Sequence, residues 1–98
     1  MVREVIWPQK VQNQLAEAYN YILSNSYQSA EKVKKEILAS TDKLVIHPEM
    51  FPTDKYRKNN DGSFRAYELY HYRISYQITQ DKIIIVRIKH TSRQSKFY

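Results

Sequence analysis

The segment from Tyr72 to Thr79 constrains this chain more than any other stretch. Tyr72, Ile74, Tyr76 and Ile78 alternate with Arg73, Ser75, Gln77 and Thr79, the period of two that a strand shows when its two faces meet different surroundings. Lys82 to Lys89 follows, almost continuously aliphatic until Arg87, which suits a central strand buried on both faces at its start. Phe64 to Leu69 reads as a third strand ahead of these two. The links Tyr70-His71 and Gln80-Asp81 are short enough for antiparallel hairpins. One face of such a sheet needs an apolar cover, and the first half of the chain has to supply it.

That half reads as a short strand and two helices. Val2 to Trp7 is β-branched and aromatic, and Pro8 is suited to the first turn of a helix. Val11, Leu15, Ala18, Tyr19, Ile22 and Leu23 then recur on one helical face. The Ser24-Asn25-Ser26 stretch ends that helix, and Ser29 is the candidate N-cap of the next, with Glu31 in its first turn. Ala30, Val33, Ile37 and Leu44, with Leu38 or Val45 as a further member, form the second apolar face, which runs to His47-Pro48, where a residue before proline resists helical geometry. So short a connection predicts an antiparallel helical hairpin. Residues 48–63 form a polar loop with a turn at Asn59-Asn60-Asp61-Gly62. The expected fold class is α+β, in the order β-α-α-β-β-β, with an antiparallel curled sheet packed against a helical hairpin and residues 1–98 as a single domain.

The same division separates the charge. Residues 1–54 carry six Lys/Arg against seven Asp/Glu, and residues 55–98 carry ten against three, so all of the +6 excess lies in the second part. A one-sided basic surface is what a protein that meets a polyanion or an acidic partner presents; the alternative is that the charge keeps a small domain soluble. Cysteine is absent, which excludes thiol catalysis, disulfides and thiolate metal sites and fits a reducing cytosol. His47, His71 and His90 fall in three segments without ligand spacing, so no metal is expected. One glycine in the chain rules out a phosphate-cradling glycine loop. No apolar run reaches membrane-spanning length, and no cofactor is implied. A soluble, cytoplasmic protein is the expectation.

What remains is a basic set on the sheet and its exit: Arg65, Arg73, Arg87, Lys89, His90, Arg93 and Lys96, with Tyr98. Arg73 belongs to the strand face opposite Tyr72 and Ile74, which the helices leave uncovered, and Arg65 is a candidate neighbour across the hairpin. Guanidinium groups bind phosphate oxygens in pairs and keep their charge, so a row of them on an open face suits RNA. Each of these arginines taken alone fits a solvated strand face equally well. His90, by alternation with Ile84, Val86 and Ile88, points to the core face as a structural histidine at the rim.

The pattern as a whole resembles the RelE/ParE superfamily of bacterial toxins from type II toxin–antitoxin pairs. The resemblance runs through IWPQKVQNQLAEAYNYI, the turn VIHPEM, the arginine strand DGSFRAYEL, and YHYRISYQITQDKIIIVRIKHTSR with its Tyr-Arg-x-x-Tyr strand and its final His-x-x-Arg. It implies a cognate antitoxin as partner and a target that depends on the branch. RelE-like members cut messenger RNA on the ribosome without a metal. On that branch Arg73 matches the phosphate-binding strand arginine, Arg93 the basic residue after the last strand, and Tyr98 approximates the C-terminal tyrosine, and Arg65 completes the candidate catalytic set. Arg87, Lys89, His90 and Lys96 would then contact the target. The family's lysine pair is replaced by the surroundings of Arg65 and Glu68, which leaves no general base. ParE-like members instead poison DNA gyrase and tend to have a long helical hairpin and a terminal His-x-x-Arg, both present here. The resemblance therefore favours the gyrase branch, with the ribonuclease and a non-toxic binding module as alternatives. A Tyr98 folded back toward Arg73 and Arg93 would favour the ribonuclease, and a free one the gyrase toxin.

Overall fold

The three C-terminal strands form where the alternation puts them. In the computed structural model, which describes residues 3–93 and Tyr98, the elements are β1 (Glu4–Ile6), α1 (Gln9–Leu23), α2 (Tyr27–Lys43), β2 (Phe64–Leu69), β3 (Tyr72–Ile78) and β4 (Lys82–His90), followed by a 3-10 turn, Thr91–Arg93. β2, β3 and β4 are antiparallel neighbours, as expected. β1 adds to the far side of β4 in parallel, Glu4 opposite Lys82 and Ile6 opposite Ile84, so the sheet is mixed and its order is β1-β4-β3-β2. A parallel neighbour needs a long crossover, and everything between β1 and β4 provides it.

The helical hairpin covers one face. Val11 and Ala18 of α1, and Val33 and Ile37 of α2, pack with Tyr67, Tyr72, Ile74, Tyr76, Ile83, Ile85 and Ile88 of the sheet, and Ala30 of α2 is fully buried as well. At about 25 cal/mol per Å2 of apolar surface, this layer is the main source of stability. Leu15 and Ile22 pack at its margin, while Leu23 stays exposed at the end of α1.

Three local details depart from expectation. α2 begins one turn earlier than Ser29, because Ser26 is extended (φ −158°) and its Oγ accepts the Ser29 N–H at 3.1 Å; Ser29 is the residue being capped. α2 also stops at Lys43, short of His47. The Ser40 and Thr41 hydroxyls donate to the carbonyls of Ile37 and Leu38, bonds that compete with the helical ladder. Leu44 then turns fully inward. Finally, Tyr70 and His71 close the β2–β3 hairpin with φ of +52° and +68°. Those are the positive values a two-residue hairpin turn demands, met here without glycine or asparagine.

β4 is not regular. Ser75 pairs with Arg87 but Tyr76 pairs with Ile85, which leaves Val86 as an extra residue. The bulge reverses the parity of the strand. Ile83 and Ile85 before it, and Ile88 and His90 after it, all share the helix face of β3's Ile78, Tyr76, Ile74 and Tyr72. Arg87 and Lys89 are thereby placed on the opposite face, across from Ser75 and Arg73.

The corrected N-cap is directly testable. Ser26→Ala should lower stability by about 1 kcal/mol, the usual cost of a lost serine cap. Ser29→Ala, which keeps the bonded N–H, should stay within about 0.5 kcal/mol of the parent protein. Urea denaturation of both variants measures the difference, and equal losses would contradict the assignment.

Candidate functional site

The face of the sheet away from the helices is not open. Residues 52–54 run along the free edge of β2, where the Asp54 N–H donates to the Phe64 carbonyl at 2.8 Å, the Ala66 N–H donates to the Pro52 carbonyl at 3.2 Å and Thr53 bridges to Arg65, and from there the Asp54 and Tyr56 side chains reach Arg73 on that face. Asp54 has no exposed side-chain surface. Its Oδ1 accepts the Tyr56 N–H at 3.0 Å, an aspartate bonding two residues ahead within its own turn. The same oxygen takes Arg73 Nη2 at 3.0 Å, and Oδ2 accepts the Tyr98 hydroxyl.

Arg73, expected to stand on an open face, is 7% exposed. Besides Asp54 it meets Glu68 at 3.4 Å, and its guanidinium lies 4.8 Å from the centre of the Tyr56 ring. Two carboxylates therefore face this one cation. A phosphate could reach it only by displacing Asp54, which three donors hold.

Tyr98 does fold back to this cluster. Its N–H donates to the Tyr56 carbonyl at 2.9 Å and its carbonyl accepts the Lys58 N–H at 2.7 Å, so the residue runs as a short backbone pair beside the loop. Its ring lies 4.2 Å from the guanidinium of Arg87 and 5.2 Å from that of Arg57. Such cation–ring contacts are stronger where water is partly excluded. Arg87 Nη1 is buried there without a hydrogen-bond partner among the described residues.

The electrostatics favour this closed arrangement. Burial alone would push the Asp54 carboxyl up; the bonds from Tyr98, Arg73 and the Tyr56 N–H, with the Arg73 charge, outweigh it and hold the group below the usual carboxylate range. Burial and the bond to Asp54 push the Tyr98 hydroxyl up to about 12. A phenol held that firmly in its neutral form is far from the near-neutral value a general acid or base needs.

The remaining expected residues are dispersed. Arg65 is not a neighbour of Arg73: paired with Tyr76, it occupies the helix face of β2, whereas Glu68 pairs with Arg73. Its Nη1 donates to the Phe51 carbonyl at 2.6 Å, and Glu49 lies 3.8 Å from its Nη2. It secures the chain after α2. Lys89 sits opposite Arg73 on the sheet, half-buried. His90 lies on the core face as the alternation implied, edge-on to Tyr72 at 5.2 Å, and Ser92 N–H donates to its Nδ1 at 3.1 Å. His71 comes within 6.4 Å of the His90 ring, but no group of three metal-ligating side chains exists among the described residues. Arg93 ends the 3-10 turn; its side chain and the whole of Lys96 lie outside the described residues. The residue that sequence reasoning missed is Asp54. Its place after Pro52-Thr53 marks a turn, but nothing local points to a partner on β3.

Comparison with known proteins follows the same lines. Residues 5–95 match the family described as the ParE toxin of the type II toxin–antitoxin system parDE. The chain belongs to the ParE toxin family. A solved structure titled "Chromosomal ParDE TA system from P. aeruginosa" superposes with a TM-score of 0.70 at 17% identity, over 91% of this chain and 96% of that one. At that identity the likeness is one of fold. No curated protein sequence matches at a significant level. Among the described residues, no helix of this ParE-family chain is long and apolar enough to cross a membrane.

The Asp54–Arg73 pair predicts a specific pH response. Asp54→Asn should cost about 3 kcal/mol at neutral pH, since an arginine is left buried without its counter-charge. Because the folded carboxyl titrates below the unfolded one, its stabilisation is complete above about pH 4 and is lost as the pH falls through the lower folded value. The stability gap between parent and variant should therefore narrow on acidification. Denaturation curves at pH 7 and pH 3 check this; a gap independent of pH would refute the ionised pair.

Proposed function

We propose that this chain is the growth-arresting toxin of a type II toxin–antitoxin pair, that it acts by binding DNA gyrase and not by cutting RNA, and that a cognate antitoxin covers it. The single observation carrying the choice of target is the state of Arg73. The arginine that a ribonuclease of this fold would offer to phosphate is buried against Asp54, and the hydroxyl that would join it is bonded to the same carboxylate. Neither group is free to bind a scissile phosphate or to move a proton near neutral pH. Family membership supports the same branch, and the helical hairpin of α1 and α2 is the kind associated with it.

The ribonuclease remains the second reading because Tyr98 folds back toward Arg73, as that branch requires. It arrives, however, as a hydrogen-bond donor to Asp54, and so completes an ion-pair cluster that has no access for RNA.

Two assays on purified protein separate the targets. Gyrase should lose supercoiling activity and accumulate cleaved DNA, while a defined message on ribosomes stays intact. Cut message together with unaffected gyrase would overturn the assignment. Arg73→Ala then adds a control: under this reading its main effect is lower stability, with gyrase inhibition recovered at temperatures where the variant is folded.

A further inference from the structure

The loop between Asp54 and β2 carries the run Lys55-Tyr56-Arg57-Lys58. Lys55, Arg57 and Lys58 have no carboxylate within ion-pair distance among the described residues, and neither have Arg87 and Lys89 of β4. The acids of residues 55–98 are engaged elsewhere. Glu68 meets Arg73, Asp81 meets Lys82, and Asp61 accepts the Ser63 N–H inside its own turn.

The loop holds its cations in place. Asn60 joins the two ends: its Nδ2 donates to the carbonyls of Asp54 and Phe64 at 3.2 and 2.8 Å, and its Oδ1 accepts the N–H groups of Gly62 and Phe64 at 2.8 and 3.2 Å. The Arg57 N–H donates to the Asp54 carbonyl at 3.3 Å, and the Lys58 N–H to that of Tyr98. Rings then place the guanidinium groups. That of Arg57 lies 3.9 Å from the centre of the Phe64 ring and 5.2 Å from that of Tyr98, which also carries Arg87 at 4.2 Å. One ring thus brings a loop cation and a strand cation together. Lys89 lies opposite Arg73, on the sheet face that Arg87 shares. A guanidinium on a ring face uses no hydrogen bond there and keeps its donors for an anion.

We propose that this loop and the adjoining face of β4 seat the sugar–phosphate backbone of duplex DNA. Arg57 and Arg87 supply forked donors, and Lys55, Lys58 and Lys89 supply point charges. Cations with no carboxylate partner, on a loop that is already ordered, suit a ligand whose charges repeat closely along a line. DNA carries one charge per about 1.7 Å of its axis, far denser than the carboxylates on a folded protein. Contacts confined to the backbone read no sequence. Arg73 and the Tyr98 hydroxyl stay closed on Asp54, so the seat holds a backbone without the groups that would cut one. The proposal rests on the gyrase reading only in choosing duplex DNA as the nucleic acid.

The test follows binding of the full chain to a short fluorescent DNA duplex by anisotropy over a range of salt. Log affinity should fall against log salt with a slope of about 0.9 per contacted phosphate. Lys55→Ala combined with Lys58→Ala, at two exposed positions, should weaken binding about tenfold or more and lower that slope by about two, with a melting temperature near that of the parent. Lys10→Ala combined with Lys35→Ala, which removes the same charge from the helices on the other side of the sheet, should leave the slope unchanged. Parental affinity and slope in the loop variant would overturn the seat. Equal losses in both double variants would also overturn it, since net charge alone would then account for binding. A single-stranded RNA of the same length bound more tightly than the duplex, or displacement of the duplex by polyglutamate at equal charge, would overturn it in favour of RNA or an acidic protein. Gyrase inhibition is scored separately. Duplex binding of the expected kind with gyrase unaffected would keep the seat and discard the gyrase reading, and gyrase inhibition without duplex binding would do the reverse.

Discussion

The carboxylate of Asp54 is the point at which three separate parts of the chain meet. Its donors come from its own turn at Tyr56, from the middle of β3 at Arg73, and from the C-terminal Tyr98. A buried carboxylate stays ionised only if its oxygens are satisfied and its charge is met, so each donor depends on the others. Without the pair, the loop at the edge of the sheet would stand beside an isolated guanidinium, and Tyr98 would lose the acceptor that orients it. The loop, the sheet and the C-terminal residue form one electrostatic unit, on the face that the helices leave alone.

That unit changes the meaning of the basic composition. Arg65, Arg73 and Arg87 invite the reading of an open phosphate-binding row, yet Arg65 and Arg73 are bonded within the fold and Arg87 is packed against a ring. Arg65 holds the Phe51 carbonyl, Arg73 meets Asp54 and Glu68, and Arg87 lies against the Tyr98 ring. Charge counted along a chain reports the field around the protein; it does not report which cations are free. The proposed gyrase target, in place of RNA, rests on this distinction.

The bulge at Val86 is the second determinant of the site. With unbroken alternation, Arg87 would share the face of Ile83 and Ile85 and would be driven into the core under the helices. One extra residue turns it to the side of Ser75 and Arg73, and at the same time returns Ile88 and His90 to the helix face. The inference that His90 faces the core was correct in outcome, but the parity that supported it, shared with Ile84, was not continuous. A bulge adds no signature of its own to a run such as IIIVRI, where every residue suits either face.

The sequence alone determined the strands, their hairpin links, the helical hairpin and most of its buried face, because period and turn chemistry are local and repeat over many residues. Val11, Ala18, Ala30, Val33, Ile37 and Leu44 were legible for that reason. It also carried enough ordered motif, from IWPQ to HTSR, to point to the superfamily. Only the tertiary structure decided that β1 joins β4 in parallel, that Arg65 and Arg73 lie on opposite faces, and that Asp54 and Tyr98 close over the sheet. Each of these depends on register or on a contact between residues far apart in the chain. A shift of one residue in register exchanges the two faces of a strand, and a partner 19 residues away leaves no mark on the residues beside Arg73.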